Sequence, residues 1–344
     1  MRHSSFSQIS LGPKITLSQV LQDWYVRHRR LLPWRAAPGV LQDPYLVWIS
    51  EIMLQQTTVA TVLPYFSRFL TTFSTVTVLA HSSCDTVLQV WQGLGYYARA
   101  RHLHQTAQIL EARGGIFPQT TVALQALPGI GSYTAAAIAS MAFGVPVLAR
   151  DANVNLLLSR LFGGTENFVT CDLFRGSVSP GDINQALMDI GALYCRARET
   201  TCLPCPLRDF CVTYREERGQ EIRPAPRIKS KPQRYAIFFH VRAQDCLLLE
   251  RRPEQGLLGG LYGLPTTSWK EERTEETPPS ALSFLSSWQE GPSFTHHFTH
   301  FLLQVQVRKA HLPRPIPFFR SDWFWVPEEQ LSLHALPTVF RKAL

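Results

Sequence analysis

Apolar residues recur at three- and four-residue spacing through most of the first 211 positions. This spacing matches one face of an α-helix and predicts a mainly helical region. Asp43 followed by Pro44 is typical of a helix start, with the aspartate as N-cap and the proline in the first turn. The helix predicted from there, PYLVWISEIMLQQTTVATVLPYF, is apolar around much of its circumference, so we expect it to be buried.

The pattern changes after position 211. Residues 212–234 contain three prolines and many charges without apolar periodicity, which predicts a linker. Beyond it, short apolar or alternating runs predict the strands Tyr235–Val241, Cys246–Glu250 and His300–Val307, and Leu336–Leu344 predicts a closing helix. We therefore expect an α domain over residues 1–225, the linker 212–234 and a smaller α+β domain over residues 235–344.

Composition supports two folded domains and excludes several classes of protein. The chain has 344 residues, of which 45% are hydrophobic and 17% charged, so it is not mainly disordered. No apolar run reaches the roughly 18–20 residues that span a bilayer. The N-terminus, MRHSSFSQISLGPK, lacks the apolar core of a secretory signal. We expect an intracellular protein without a membrane partner.

The net charge of +8 is unevenly distributed. Residues 1–233 contain 22 Lys and Arg against 15 Asp and Glu, whereas residues 234–344 contain 12 against 11. A basic first part beside a nearly neutral second part is typical of a protein with a polyanionic partner. Charge alone leaves a simple role in solubility open.

Four of the seven cysteines lie in one stretch with the spacing C-x6-C-x2-C-x5-C, namely Cys195, Cys202, Cys205 and Cys211. Four thiolates on one short loop suit a cubane iron–sulfur cluster, whereas zinc sites more often use two separated C-x2-C pairs or Cys/His mixtures. The loop 195–211 is therefore a predicted metal site, with a metal-free loop as the alternative. Arg196, Arg198 and Arg208 lie among these cysteines and either contact phosphates or form a solvated surface.

A glycine-containing turn lies between two predicted helices in residues 120–143. The sequence Leu127-Pro128-Gly129-Ile130-Gly131 precedes an alanine-rich helix. Two glycines permit a tight turn, and its amide N–H groups at a helix N-terminus favour a phosphate. The turn predicts a helix-hairpin-helix that holds a DNA strand, and an ordinary turn between helices is the alternative.

Together, these motifs resemble the endonuclease III superfamily of base-excision glycosylases and, within it, the adenine DNA glycosylases of the MutY family. The matching stretches are LPWR, SEIMLQQT, WQGLGYYARAR, LPGIGSYTAAA, DANV, NQALMDIGA and the cysteine loop. FTHHFTHF resembles the recognition loop of the family's Nudix-like C-terminal domain. The resemblance implies removal of adenine mispaired with 8-oxoguanine or G from double-stranded DNA, with a [4Fe-4S] cluster on the four cysteines.

This reaction needs an acid for the purine and an anion for the cationic sugar, as glycoside hydrolysis does. The resemblance implies that Glu51 is the acid, Asp151 is the anion and Asn153 helps to hold Asp151 and the sugar. From the residues alone, Glu51 in an apolar helix would have a raised pKa or pair with an arginine such as Arg99. Asp151 is equally consistent with an ordinary N-cap.

Tyr133 stands where the bifunctional members of the superfamily carry a lysine nucleophile. Because tyrosine cannot form a Schiff base, the resemblance implies a monofunctional enzyme. It also implies DNA or base contacts for a further set of residues, for which packing or surface positions are the alternatives. These residues are Trp34, Arg35, Gln56, Tyr96, Gly129, Gly131, Gln185, Phe298, Thr299 and His300.

The chain departs from the family pattern in several places. Ala152 replaces a glycine and would be strained if the position required positive φ. Leu156 replaces a common arginine, and Thr299 replaces a serine. No Nudix box is present, so we expect no pyrophosphatase activity. The short linker and N-terminus resemble bacterial members, which implies the bacterial cytoplasm. We also expect a monomer. The alternatives are a glycosylase with lyase activity on oxidised pyrimidines and a non-catalytic iron–sulfur DNA-binding protein.

Overall fold

A computed structural model describes residues 15–164, 173–176, 178–216, 230–273, 278–318 and 320–344. The first 14 residues, Cys171 and residues 217–229 of the predicted linker lie outside this set. The chain divides into two compact units, each built from two stretches. The first unit contains Met1–Ile52 and Ile116–Pro226, and the second contains Met53–Gly115 and Arg227–Leu344. The linear domain boundaries stay a prediction.

Helices dominate the part of the chain before residue 216. In chain order, the described α-helices are α1 (Leu17–His28), α2 (Pro44–Leu54), α3 (Val59–Thr72), α4 (Val76–His81), α5 (Cys84–Trp91), α6 (Ala98–Glu111), α7 (Thr121–Gln125), α8 (Ser132–Phe143), α9 (Ala152–Leu161), α10 (Pro180–Leu193), α11 (Val212–Arg215) and α12 (Thr338–Arg341). In the described ranges, none of them has the length and hydrophobicity needed to cross a bilayer.

The predicted continuous helix over residues 44–66 was wrong, because the structure divides it in two. Its start is as predicted, since the Asp43 carboxylate accepts a hydrogen bond from the Tyr45 amide at 2.8 Å. Helix α2 ends at Leu54, and Gln56 adopts a φ of +55°. The Thr58 side chain then caps α3 by accepting from the Thr61 amide. Threonine favours such caps over helix interiors, which outweighed the apolar pattern.

The core of the first unit lies where α1, α9 and α10 pack together. It is formed by fully buried apolar residues such as Leu21, Leu158 and Leu187. Helix α8 is buried along most of its length, from Thr134 to Ala142. Helices α7 and α8 flank the Gly129–Gly131 turn, which confirms the predicted hairpin.

A mixed sheet forms most of the second unit after residue 232. Its strands are β1 (Gln233–Ala243), β2 (Cys246–Arg251), β3 (Tyr262–Gly263), β4 (Gln289–His297), β5 (Leu302–Leu312) and β6 (Trp323–Pro327). Parallel β1 and β5 form its centre, β4 pairs antiparallel with β5, and β2 pairs antiparallel with β1, β3 and β6. Apolar residues bury both faces, with Phe238 and Phe340 on one and Phe239 and Trp323 on the other.

The three predicted strands and the closing helix are confirmed as β1, β2, β5 and α12. The sequence did not predict β3, β4 or β6. The FTHHFTHF segment is only partly a loop, because its first four residues belong to β4 and the rest form the turn into β5. The polar, half-exposed residues of β4 obscured its strand pattern, which is fixed by pairing with β5.

Candidate active site

A hydrogen bond joins Glu51 and Tyr133 in the first unit. Helix α2 carries Glu51, which is 6% exposed, and helix α8 carries Tyr133. The Tyr133 hydroxyl donates to Glu51 Oε2 over 2.7 Å. Burial raises the pKa of the phenol well above its ordinary value, and the neighbouring carboxylate raises it further. Tyr133 therefore keeps its proton and remains a donor to Glu51.

Glu51 is a carboxyl group that can carry a proton near neutral pH. Burial raises its pKa from 4.5 to about 7. The Tyr133 hydrogen bond and the Arg35 charge oppose this rise, whereas the Asp151 carboxylate adds to it. The raised pKa expected from the apolar helix is thus present, for the expected reason. A group with this pKa can both donate and accept a proton at pH 7.

Asp151 and Asn153 begin helix α9. Asp151 is the N-cap, and its Oδ1 accepts from the Val154 amide at 2.6 Å. This carboxylate is half-buried and close enough to raise the pKa of Glu51. Asn153 is exposed in the first turn. The strain considered for Ala152 is absent, because Ala152 is the first residue of the right-handed helix and has no positive φ.

A buried ion-pair cluster holds Arg35, and the sequence did not indicate its anion. Asp189 on α10 is fully buried and accepts from Arg35 Nη1 at 2.7 Å and Nη2 at 2.9 Å. Its carboxylate also accepts from Arg30 Nε at 2.6 Å and the Arg30 amide at 3.1 Å. Burial alone would raise the pKa of Asp189, but its bonds with the two arginines lower it. Asp189 lies within the quoted NQALMDIGA stretch, yet nothing local indicates its partners.

Trp34 and Gln185, expected near the base, are both buried. Trp34 is 5% exposed, next to Arg35 in the chain. Gln185 on α10 is 2% exposed, and its Nε2 donates to the Gly181 carbonyl at 3.2 Å. Within the described residues, Gln185 Oε1 has no hydrogen-bond partner. An unpaired buried acceptor is costly, so this amide is suited to a ligand that donates a hydrogen bond.

The two hairpin glycines meet different requirements. Gly129 adopts a φ of +75°, a conformation that disfavours any β-carbon. Gly131 has a φ of −84° and precedes α8 as its N-cap. A β-carbon built on Gly131 would meet no atom of the described residues within 4 Å. In the part of the chain that the structure describes, no side chain caps this helix start, and the open space beside Gly131 leaves room for a phosphate at its first amides.

The four predicted cysteine ligands line one cavity in the first unit, namely Cys195, Cys202, Cys205 and Cys211. Burial and, to a smaller extent, the other three sulfurs raise the pKa of the Cys205 thiol to about 11, against a lowering hydrogen bond with the Leu207 backbone. Arg160 Nη1 donates to Cys195 Sγ at 3.3 Å. Among the described residues, no three His, Cys, Asp or Glu side chains are close enough for a single metal ion.

In the second unit, Gln56 and Tyr96 both lie in turns with left-handed backbone. Their φ angles are +55° and +46°, and both residues are exposed. A residue with a β-carbon is destabilised there by about 1–2 kcal/mol, and such strain clusters at functional sites. The helical Gln56 considered from sequence is instead a turn residue. Arg99 donates to carbonyl groups of both turns.

The turn between β4 and β5 contains the other predicted recognition residues. Thr299 Oγ1 lies 2.5 Å from the Tyr96 hydroxyl, at hydrogen-bond distance, and Thr299 and His300 are exposed. Phe298 stacks on Phe301 with ring centroids 4.7 Å apart. Tyr96 and residues 296–301 line one cavity of about 370 Å³ within the second unit.

Comparisons with known proteins agree with both parts of this structure. Residues 49–170 match the HhH-GPD superfamily of base excision DNA repair proteins, and residues 236–344 match the NUDIX domain. Over 324 residues, the chain is 34% identical to an adenine DNA glycosylase of Buchnera aphidicola (strain APS), covering 90% of each chain. It is 30% identical to the adenine DNA glycosylase of Homo sapiens over 396 residues, covering 94% of this chain and 72% of that one.

The solved structure of a thermostable thymine-DNA glycosylase is also similar, with a TM-score of 0.51 and 26% identity. It covers 58% of this chain and 95% of that chain. Fold and site together define the class: a helix-hairpin-helix base-excision glycosylase, an enzyme acting on DNA, followed by a Nudix-like domain. Within that class, the chain belongs to the adenine DNA glycosylase family.

Proposed function

We propose that this protein is a monofunctional glycosylase that removes adenine mispaired with 8-oxoguanine or G from double-stranded DNA. The hydrogen bond from Tyr133 to buried Glu51 carries the proposal. Burial keeps the Glu51 carboxyl group protonated in part near neutral pH, although the Tyr133 bond opposes this effect. At Tyr133, a phenol occupies the position of the superfamily's nucleophilic amine. A base must leave the duplex stack to reach a buried acid, so the reaction begins with nucleotide flipping.

Glu51 donates its proton to the purine as the N-glycosidic bond breaks, which makes adenine a better leaving group. The pKa of about 7 supports this role because a useful fraction of Glu51 is protonated at neutral pH. Once ionised, the same carboxylate can activate the attacking water. Asp151 stabilises the positive charge on the sugar, either electrostatically or through a transient covalent bond. Its half-buried position near Glu51 supports this division of roles.

The residues around these carboxyl groups orient the base and the strand. Gln185 Oε1 is available to accept from an exocyclic amine, a group that adenine has at C6. The pairing with Asp189 holds Arg35 in place, so that its charge limits the rise in the pKa of Glu51. The Gly129–Gly131 turn supplies backbone amides to a phosphate. Asn153, exposed in the first turn of α9, is available to the sugar.

The second unit inspects the duplex in this proposal. The exposed Tyr96 ring can stack on a base, and Gln56 supplies an amide to base edges. Phe298, Thr299 and His300 contact 8-oxoguanine. Thr299 retains the hydroxyl of the family's serine, and its exposure supports a contact with DNA.

The residues of the cysteine loop fit a [4Fe-4S] cluster. Their four sulfurs share a cavity that Arg160 borders, and Arg160 Nη1 donates a hydrogen bond to Cys195 Sγ. When bound, the cluster would tie the loop together through four thiolate bonds. Purified protein should contain about four irons per chain and lose them on Cys202→Ser substitution. Stoichiometric zinc would contradict this assignment.

A single-turnover assay tests the function directly. The duplexes contain A opposite 8-oxoguanine, A opposite G, A opposite T, or an oxidised pyrimidine, each with and without alkali. We expect adenine release from the first two and strand breaks only after alkali. Glu51→Gln should still bind the mispair without releasing the base. Cleavage without alkali at the oxidised pyrimidine would favour the lyase alternative, and binding without release by wild-type protein would favour a non-catalytic role.

The proposal assigns this activity to a monomer in the bacterial cytoplasm. Bacterial relatives of similar length support this setting. A sedimentation mass of one chain, free and with one duplex, is the expected result.

A further inference from the structure

Two turns of the second unit share an uncommon backbone feature. The Gln56 turn, residues 53–57, and the Tyr96 turn, residues 94–97, each present an exposed side chain from a residue with positive φ. Neither residue is a glycine, so each conformation needs surrounding contacts to hold it. The two turns are 40 residues apart along the chain. Their position relative to each other is therefore fixed by side chains that contact both of them.

Arg99 touches both turns. Its Nη1 donates to the Met53 carbonyl at 3.0 Å and to the Gln55 carbonyl at 2.5 Å. Its Nη2 donates to the Leu94 carbonyl at 3.2 Å and to the Gly95 carbonyl at 3.3 Å. One guanidinium therefore holds the carbonyl groups that immediately precede both strained residues.

Only a guanidinium can make this set of bonds. Its planar fork fixes several donors in defined directions, whereas a lysine amine is a single point charge. The plane is also fixed by rings, with the Arg99 Cζ lying 5.4 Å from the Trp91 ring centroid and 5.3 Å from that of Tyr96. Trp91 is fully buried, and its Nε1 donates to the Gly95 carbonyl at 3.0 Å. The same indole thus supports both the arginine and the Tyr96 turn.

We propose that Arg99 is a positioning residue that fixes the Gln56 and Tyr96 turns relative to each other, so that both side chains meet the duplex as one pair. Discrimination of a mispair then depends on Arg99, although Arg99 contacts no base. The identity of the duplex rests on the proposed function, whereas the coupling of the two turns does not.

Arg99→Lys tests the coupling by amide hydrogen exchange in the full-length protein. This substitution keeps the positive charge but removes the planar guanidinium that donates to both turns. We expect faster exchange in peptides covering both 53–58 and 93–98. The matched control is Arg68→Lys, because Arg68 also donates to a carbonyl, that of Val90 at 2.7 Å, and stacks on a ring, that of Tyr65 at 4.6 Å. This control should leave both peptides unchanged. Faster exchange in one turn alone, or in neither, would overturn the coupling.

The second readout is preference for A opposite 8-oxoguanine over A opposite T. Arg99→Lys should reduce this preference by roughly tenfold to a hundredfold, the scale of a misplaced contact group. Arg68→Lys should retain it. If amide exchange is faster in both turns of Arg99→Lys but its preference for A opposite 8-oxoguanine is unchanged, Arg99 has no positioning role. If wild-type protein releases no adenine, the proposed function fails, and the exchange comparison still decides whether Arg99 couples the turns.

A double-mutant cycle covers the case in which Arg99→Lys does not fold. Gln56→Ala and Tyr96→Ala alter exposed side chains and keep Arg99 with its bonds to the backbone carbonyls, and Trp91 still supports its plane when the Tyr96 ring is removed. Because the pair is expected to act together, their combined loss of mispair binding should be clearly smaller than the product of the single losses. If the loss of mispair binding in the double variant equals the product of the two single losses, the turns act independently and the proposal is rejected.

Discussion

Tyr133 donates a 2.7 Å hydrogen bond to Glu51, although the two residues are 82 positions apart in the chain. The bond stabilises the ionised form of Glu51, while burial favours the neutral form by a larger amount. The proton affinity of the proposed acid is therefore set by two opposing effects, and each can be changed separately.

Tyr133→Phe should move the alkaline limb of the base-release profile to higher pH. Without the phenol, the carboxylate loses a stabilising donor and the pKa of Glu51 rises above about 7. A bond to a charged group corresponds to a shift of roughly one pH unit. Single-turnover rates across the pH range measure the limb. Tyr25→Phe is the control, because its buried hydroxyl has no hydrogen-bond partner among the described residues. If the alkaline limb of the pH–rate profile does not move in Tyr133→Phe, the limb does not report the Glu51 proton and its assignment to Glu51 is wrong.

Glu51→Gln should stabilise the protein at alkaline pH. The pKa of Glu51 is raised from 4.5 to about 7, so the unfolded chain loses this proton first as pH rises. Wild-type stability therefore falls between those values and remains lower above pH 7. Gln removes the effect, worth up to about 3 kcal/mol at pH 8. Denaturant unfolding at pH 5 and 8 measures it, with exposed Glu329→Gln as control. Equal stability of Glu51→Gln and wild type at both pH values would argue against a raised pKa.

Asp189→Asn should destabilise the first unit strongly. It removes the anion from Arg35, whose side chain is 5% exposed, and from Arg30. Breaking a buried ion pair costs about 3–5 kcal/mol. Because the pKa of Asp189 is lowered in the folded protein, its contribution is present above the ordinary value of 3.8 and is lost as pH falls through the lowered one. The difference from wild type should therefore shrink in strong acid.

Arg30→Ala is the matched comparison for Asp189→Asn. Arg30 is 30% exposed and leaves Asp189 paired with Arg35, so the loss of unfolding free energy should be clearly smaller. Chemical denaturation at neutral and acid pH measures both variants. Equal losses for the two would show that Asp189 does not depend on Arg35.

The two hairpin glycines should respond differently to alanine. Gly129→Ala places a β-carbon at a φ of +75° and should cost about 1–2 kcal/mol of stability. Gly131→Ala enters open space at a φ of −84°, so the unfolding free energy should hardly change. Its methyl group should instead weaken binding to mispaired and matched duplexes alike, because it approaches a phosphate rather than a base. Normal DNA affinity in Gly131→Ala would remove the hairpin from the interface.

Sequence patterns predicted the elements better than they predicted their ends. Three strands, the closing helix and the hairpin were predicted from the spacing of apolar residues, the turn-forming residues and the positions of glycines. The helix over residues 44–66 failed, because one threonine cap and a left-handed Gln56 divide an otherwise apolar run. Ala152 caused no strain, since its position is helical. Strand β4 was missed because its neighbour β5, rather than its own alternation, fixes it.

The sequence by itself determined what is encoded locally: the hairpin, the cysteine spacing, the burial of Glu51 in an apolar helix and the resemblance that assigns the family. Tertiary structure decided which groups meet. Tyr133 reaches Glu51, and Asp189 reaches Arg35 from 154 residues away. Arg99 joins two turns whose strained backbone could not be predicted from the sequence, because neither strained residue is a glycine. Local motifs depend on backbone preferences within a few residues. Proton affinities and positions of functional side chains depend on burial and charge contributed by distant elements, which exist only after packing.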